Sequence, residues 1–279
     1  MSEDSAYNSF ELMACAASRV FEDKKSVLVG TGLPIVCAVL AQKTHAPNLL
    51  IVFEAGGVGA QIPVIPISVG DSRTACRAVM ATGMDYVMST AQLGYIDYCM
   101  LGAAQIDPYG NINTTVIGPY AKPKVRLPGS GGGNDLGSLC WHQIVTMQQD
   151  TRKFVEKLDF LTTPGYLGSP QGRENAGLPR GTGPYRVVTQ LGVMGFEPSS
   201  GRMKLLATHP GVSVAQVRAS TGFQLVIPDE VAVTEPPSAE ELSILRTEID
   251  PTGIVLGRGR GEQEPSARAI AVKPTPLPD

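Results

Sequence analysis

Apolar positions recur at helical spacing through residues 9–21, which predicts an amphipathic helix, and the run Ser26–Val29 predicts a short buried strand leading into Gly30-Thr31-Gly32. Pro34 suits a first helical turn, so a second helix is expected from there to about Lys43. Residues 49–53 form a continuous apolar run of strand length, LLIVF, followed at once by Glu54-Ala55-Gly56-Gly57. A strand that is apolar on both faces needs cover on both faces. Alternation of such strands with helical patterns continues through residues 73–80, 98–103, 112–117 and 143–147. The expected fold is therefore α/β, three layers around a largely parallel sheet, with ligands meeting the loops at the carboxyl ends of the strands.

Further along, residues 166–182 are rich in Gly, Pro and polar side chains and read as a long ordered loop. Ser238 and Glu241 are spaced as a capping box, opening a helix expected to reach about Glu248 and to stop before Pro251. No internal repeat is visible. Residues 1–256 are expected to form a single domain, and the polar tail from 257 to 279 has little to bury and is expected to be flexible.

With 43% hydrophobic residues in 279, the chain has ample apolar material for a packed core. Twenty-three Lys and Arg against 26 Asp and Glu give no basic field for a polyanion, so nucleic acid is not an expected partner. No run approaches the roughly 18 to 20 apolar residues of a membrane span, and the first 19 residues lack the basic start and apolar core of a signal peptide. A soluble, cytoplasmic protein with no membrane association is expected. Cys15, Cys37, Cys76, Cys99 and Cys140 are odd in number and lack C-x-x-C spacing, which fits buried small hydrophobes in a reducing compartment rather than disulfides or a zinc site. His45, His142 and His209 lie far apart in sequence, and none sits in a recognisable catalytic motif.

Three stretches are candidates for chemistry. Glu54 is a carboxylate placed where a buried strand emerges, with glycines behind it that would let a ligand approach the backbone. Desolvation there raises the free energy of the anion and with it the nucleophilicity. Position alone leaves open an acid that merely ends a strand and points into water. The second stretch, PGSGGGND from Pro128 to Asp135, exposes consecutive backbone amides ahead of a helix expected from near Leu136. Such a loop can hold an anion or a developing oxyanion, or serve only as a turn. It is neither a Walker A sequence nor a dinucleotide fingerprint. In the third, residues 102–113, the turn at Asp107-Pro108-Tyr109-Gly110 needs only a structural explanation, while Gln105 is a candidate hydrogen-bond donor to substrate.

Taken in order, five motifs resemble the beta half of family I CoA-transferases, the glutaconate CoA-transferase type most of all, over roughly residues 8–256. They are Val29-Gly30-Thr31-Gly32-Leu33-Pro34, Glu54-Ala55-Gly56, the stretch from Gly102 to Asn113, Gly129-Ser130-Gly131-Gly132-Gly133-Asn134-Asp135, and Pro164-Gly165-Tyr166 through Gly172-Arg173-Glu174 to Gly177-Leu178-Pro179. The resemblance implies the CoA-transferase-like α/β fold and makes Glu54 the nucleophile of a Glu-x-Gly motif. It makes Gly131 the foremost oxyanion-hole donor, flanked by Gly129, Gly132, Gly133 and Asn134. Gly30, Thr31 and Gly32 become a substrate-side loop, with Gln105 nearby.

By the same resemblance, CoA moves between short acids, dicarboxylic ones among the candidates, through a glutamyl-CoA thioester at Glu54. The chemistry uses no metal and no tightly bound cofactor, with coenzyme A entering as the acyl-CoA substrate. A homologous alpha-type subunit is the implied partner, in a heterodimer or higher hetero-oligomer with the site between the halves. Arg73, Arg77 and Ser68 are this chain's candidates for a far carboxylate, beside the plainer reading of surface residues. The scaffold also resembles ring-cleaving CoA-thioester hydrolases and a CoA-thioester decarboxylase, but retention of Glu54 favours transfer. A non-catalytic anion- or nucleotide-binding α/β module would use the glycine loop and leave Glu54 no role.

Overall fold

The computed structural model describes residues 7–257. The tail expected to be flexible lies outside the described residues, apart from Gly257. Ten strands form the central sheet: β1 Ser26–Val29, β2 Leu50–Phe53, β3 Gly57–Val58, β4 Met80–Ala81, β5 Tyr98–Gly102, β6 His142–Thr146, β7 Gly183–Val188, β8 Gly192–Phe196, β9 Met203–Thr208 and β10 Ala232–Val233. Their spatial order is β10-β9-β8-β7-β6-β5-β1-β2-β3-β4. The middle five, β7-β6-β5-β1-β2, are parallel throughout. Antiparallel pairings join β7 to β8, β8 to β9, β2 to β3 and β3 to β4, and β10 adds in parallel to β9.

Side chains alternate across the parallel block with the period of two that a strand imposes. Val27, Val29, Ile51, Phe53, Tyr98, Met100 and Ile144 point to one face, where they pack with helices α1 (Ser9–Ser18) and α2 (Leu33–Lys43). Leu28, Val52, Cys99, Leu101 and Val145 point to the other, against α3 (Met84–Gln92) and α4 (Gly133–Leu139). Two apolar clusters on opposite faces make the three layers. This is why the central strands read as unbroken apolar runs.

The edges depart from expectation. Residues 73–80 hold a 3-10 turn, Ser72–Ala75, and then β4, only two residues long. Residues 112–117 are not a strand of the main sheet. Ile112–Asn113 and Val116–Ile117 belong to two separate hairpins, paired with Gln105–Ile106 and Val125–Arg126. Asn113 causes the break: its Oδ1 accepts from the amides of Thr115 at 2.9 Å and Val116 at 3.3 Å, and its Nδ2 donates to the Val116 carbonyl at 2.7 Å. A side chain that imitates a backbone turn ends the strand in mid-run.

Helix α1 begins with a capping box at Asn8 and Glu11 and ends at Ser18, three residues before the expected Phe21. The C-terminal helix starts at the expected Ser238 cap as Ala239–Ile244 and widens into a π turn, Leu245–Ile249, ahead of Pro251. That second cap is fastened to the end of α1. The Arg19 guanidinium donates to both oxygens of Glu241, at 3.0 and 2.6 Å, while Glu241 Oε2 accepts from the Ser238 amide at 2.7 Å. Burial alone would raise the Glu241 pKa, but the Arg19 and Ser238 bonds outweigh it and hold the carboxyl below its ordinary value. A carboxyl whose folded pKa is depressed stabilises the fold above its unfolded value and loses that contribution as pH falls through the folded one. Glu241→Gln is therefore expected to cost about 1 kcal/mol at pH 7, the worth of a well-formed bidentate pair near the surface. Urea unfolding at pH 7 and at about pH 3 should show the gap from wild type closing at the lower pH.

Candidate active site

The parallel register aligns Val29 with both Phe53 and Met100. The loops that begin with Gly30, Glu54 and the end of β5 therefore leave the sheet side by side, at its carboxyl edge. Gly30 is held there by its amide, which donates to the Met100 carbonyl at 3.1 Å. Glu54 is half-buried. The glycines behind it serve the chain rather than a ligand. A Cβ on Gly56, which sits at φ +118°, would fall 1.9 Å from the Thr82 carbonyl oxygen, and one on Gly57 would fall 1.9 Å from that of Thr74. Both positions let two pieces of backbone pass in contact, which fixes the turn that carries the acid.

The glycine loop arrives opposite Glu54 from the other side of β5. Gly132 N–H donates to Glu54 Oε1 at 3.0 Å. The loop is braced by its own bonds: the Gly129 amide donates to the Thr114 carbonyl at 2.9 Å, and Thr114 Oγ1 returns a bond to the Gly129 carbonyl at 2.8 Å. The Gly133 amide donates to the Ser130 carbonyl at 2.9 Å and the Asn134 amide to Ser130 Oγ at 3.2 Å. Helix α4 thus starts at Gly133, three residues ahead of the expected Leu136. Among the described residues, the amides of Ser130 and Gly131 find no acceptor.

Between these loops lies a cleft of about 520 Å³. Val29, Leu101, Ile112, Leu127 and Leu136 supply apolar walls, Thr31, Ser68, Thr114 and Thr163 supply hydroxyls, and Gly129 to Gly133 supply backbone. Among the described residues, Glu54 is the one charged group in the lining. A family model described as Coenzyme A transferase matches residues 10–220. The chain belongs to the coenzyme A transferase family.

Similarity to CoA-transferases extends over most of the chain. The B-type subunit of 3-oxoadipate CoA-transferase from Pseudomonas knackmussii is 39% identical over 261 residues, covering 93% of this chain and 100% of that one. The B-type subunit of glutaconate CoA-transferase from Acidaminococcus fermentans is 36% identical over 260 residues, covering 90% and 96%. The crystal structure of the Acidaminococcus fermentans glutaconate CoA-transferase superposes with a TM-score of 0.86 at 33% identity, over 91% of this chain and 99% of that one.

In this CoA-transferase chain, the cleft brings together Glu54, Gly30, Thr31, Ser68, Gly129, Gly131, Gly132 and Gly133. Gly32 faces an adjoining, mostly apolar cleft of about 380 Å³, which shares Thr31 and Ile67 with the first. The amide on Glu54 is that of Gly132, beside the Gly131 that the family resemblance points to; Gly131 lies next to it at φ +49°. Asn134 braces the loop, its Nδ2 donating to the Thr162 carbonyl at 2.8 Å.

Gln105 is not placed to meet a substrate. It is buried, its Nε2 donates to Asp159 at 3.0 Å, and its Oε1 accepts from Asn113 Nδ2 at 2.7 Å and the Asp159 amide at 3.1 Å. Asp159, 54 residues away in sequence, takes both amide atoms of Gln105 alongside Asn113, a pairing that no local pattern announces. Arg73 lines the adjoining cleft and is engaged by Asp71 and the Ile65 carbonyl, holding the Asp71 carboxyl well below the usual range. Arg77 is exposed and lines neither cleft. Four of the five cysteines are buried, and burial pushes the Cys15 thiol up to about 12. No cysteine or histidine lines the Glu54 cleft. Among the described residues no group of His, Cys, Asp and Glu is arranged to hold a metal ion, and no helix is long and apolar enough to cross a membrane.

Three contributors are given no role by the sequence alone. Met88, on α3, reaches the Gly132 side of Glu54. Thr163 brings a hydroxyl to the cleft. Arg173, buried at 2% exposure, donates to four carbonyls and one hydroxyl beneath α4. The Gly172-Arg173-Glu174 motif marked the place, but not that the guanidinium points inward.

Proposed function

We propose that this chain is the beta subunit of a CoA-transferase in which Glu54 carries coenzyme A covalently between two carboxylic acids. The observation that supports this most directly is the Glu54 carboxylate in a cleft whose other described residues are uncharged, with Oε1 at 3.0 Å from the Gly132 amide. The carboxylate attacks the thioester carbonyl of an acyl-CoA, the C–S bond breaks, and an acyl-glutamyl anhydride and CoA thiolate result. The thiolate then attacks Cδ of Glu54, the anhydride C–O bond breaks, and the donor leaves as a free carboxylate. Glu54 is left as its CoA thioester, and an acceptor carboxylate runs both steps backwards.

Each step passes through a tetrahedral oxyanion. When the centre is Glu54 Cδ, the Gly132 amide already sits on the oxygen that gains charge. When it is the substrate acyl carbon, the unclaimed amides of Ser130 and Gly131 are the donors at hand. A donor of this kind is worth roughly 3 to 4 kcal/mol in comparable sites. The anhydride and thioester both need water kept away, and the apolar walls serve that from this side.

From the other side, the cleft is open, and Ile67, Val79 and Met84 on neighbouring segments are exposed at 79%, 82% and 51%. An alpha-type partner seated there closes the site, in keeping with the two CoA-transferase relatives, each itself one subunit of its enzyme. 3-Oxoadipate and glutaconate are short dicarboxylates, and a substrate of that class is favoured for this chain as well. Because the described residues of the lining include no Lys or Arg, a far carboxylate is received by the hydroxyls of Thr31, Ser68 or Thr163 or by the partner. Coenzyme A passes through as substrate, with no tightly bound cofactor.

The test is a single incubation of the assembled complex with acyl-CoA and no acceptor acid. Transfer gives one equivalent of free acid per site and then stalls, and borohydride reduction followed by peptide mapping places the modification on Glu54. Continuous release of free CoA would mean a hydrolase, carbon dioxide with the thioester intact would mean a decarboxylase, and absence of any modification would leave a binding module. The isolated chain should not turn over.

A further inference from the structure

We infer that Arg173 is a positioning residue for the transfer reaction, holding the far end of α4 so that the Gly132 amide stays on Glu54; this rests on the covalent mechanism proposed above. Arg173 lies in α5 (Gly172–Asn175), with 2% exposure. Its Nη1 donates to the carbonyls of Pro164 at 3.0 Å and Gly165 at 3.3 Å, and its Nη2 to those of Gly137 and Ser138, both at 3.0 Å, and to Thr182 Oγ1 at 2.8 Å. Among the described residues, no carboxylate lies within ion-pair distance of it. A buried cation without a counter-charge is costly, and dense hydrogen bonding to neutral oxygens is what makes it tolerable.

The acceptors identify what the guanidinium holds. Gly137 and Ser138 belong to the last turn of α4, where carbonyls have no partner within the helix and a positive charge also complements the helix dipole. Pro164 and Gly165 follow Thr162 and Thr163 directly. Thr163 lines the cleft, and the Thr162 carbonyl accepts from Asn134 on the first turn of α4. The guanidinium therefore joins two segments whose other ends build the site.

Little slack exists between them. A Cβ on Gly137 would fall 2.2 Å from Thr163 Cγ2, so the helix and the threonine segment are in close contact and move together. Gly183, at φ +145°, leaves room for the arginine stem: a Cβ there would fall 2.9 Å from Arg173 Cδ. From Gly137 back to Gly132 is about 8 Å along a helix axis. A displacement of α4 by about 1 Å lengthens the 3.0 Å contact to Glu54 beyond hydrogen-bonding range. Misplacement on that scale lowers a rate by about 100-fold without touching substrate affinity.

Lysine keeps the charge but presents a point donor, which cannot span acceptors on three segments. In the assembled complex, Arg173→Lys is expected to lower kcat by roughly 10- to 100-fold with KM within about threefold of wild type. Single-turnover formation of the Glu54 thioester should slow by the same factor, its amplitude counting competent sites and its rate constant reporting each of them. Combined with Gly132→Ala, the lysine variant should add little further loss, because both act on one contact. Thr182→Val removes a single acceptor and should slow thioester formation severalfold even if the lysine variant does not fold. A wild-type rate per competent site in either variant, or losses that multiply fully with Gly132→Ala, overturns the inference. Wild type forming the Glu54 thioester in the same assay leaves the covalent mechanism standing regardless.

Discussion

Replacing Glu54 with alanine is expected to lower CoA exchange between acids by at least about 10⁴-fold, the scale on which enzymes lose rate when a covalent nucleophile is removed. The effect is large because, among the described residues, the cleft offers no substitute: Glu54 is the only carboxylate of its lining, and no cysteine or histidine stands beside it. Glu54→Asp is the sharper probe. It keeps the charge but withdraws the carboxylate by about one methylene, which takes it off the Gly132 amide. A loss near 100-fold is then expected from misalignment alone. Exchange of a labelled acid into acyl-CoA, followed in the assembled complex, measures both. Undiminished exchange in the alanine variant would remove the basis of the covalent mechanism.

Gly132→Ala is expected to produce the second large effect, a fall in kcat of roughly 10²- to 10³-fold, the range found when an oxyanion donor is lost. The backbone itself would accept alanine, since Gly132 has φ −77°. The conflict lies in space: a Cβ there would sit 2.9 Å from Glu54 Oε1, 3.0 Å from its Cδ and 2.7 Å from Met88 Cε. Methionine has three rotatable bonds and can swing aside. The Glu54 carboxylate yields only by leaving the amide. Melting temperature should therefore change little while kcat collapses, and adding Met88→Ala in the same chain should not restore the rate, because the clash that matters is with the carboxylate itself. A Gly132→Ala enzyme with normal kcat would show that the contact at 3.0 Å has no part in the reaction.

The middle of the sheet was legible because burial on both faces writes itself as unbroken apolar runs, as at Ser26–Val29 and Leu50–Phe53. The edges were not. Strands of two residues, such as Met80–Ala81, carry too few positions for a pattern, and their pairing is decided by turns elsewhere. Asn113 turned an apparent strand into two hairpins through side-chain bonds that composition does not reveal. Glu54 and the glycine loop stood out because a lone acid after five apolar residues and four clustered glycines are unusual locally. Gln105 misled for the opposite reason, since its partner Asp159 is remote in sequence. Gly56 and Gly57 were correctly singled out but for the wrong neighbour, their bareness admitting the chain's own backbone.

The pairing of Ser26–Val29 with Leu50–Phe53, residue for residue, bears on how such a protein can change over evolutionary time. Sliding β2 by one position would send Ile51 and Phe53 to the wrong side of the sheet and Val52 to the other, undoing both cores at once. Insertions and deletions ahead of the acid are thereby closed off, whereas exchange of that one side chain, or of the surrounding loops, disturbs neither core. New chemistries on this framework should accordingly arise by swapping the group at a stationary point rather than by relocating it.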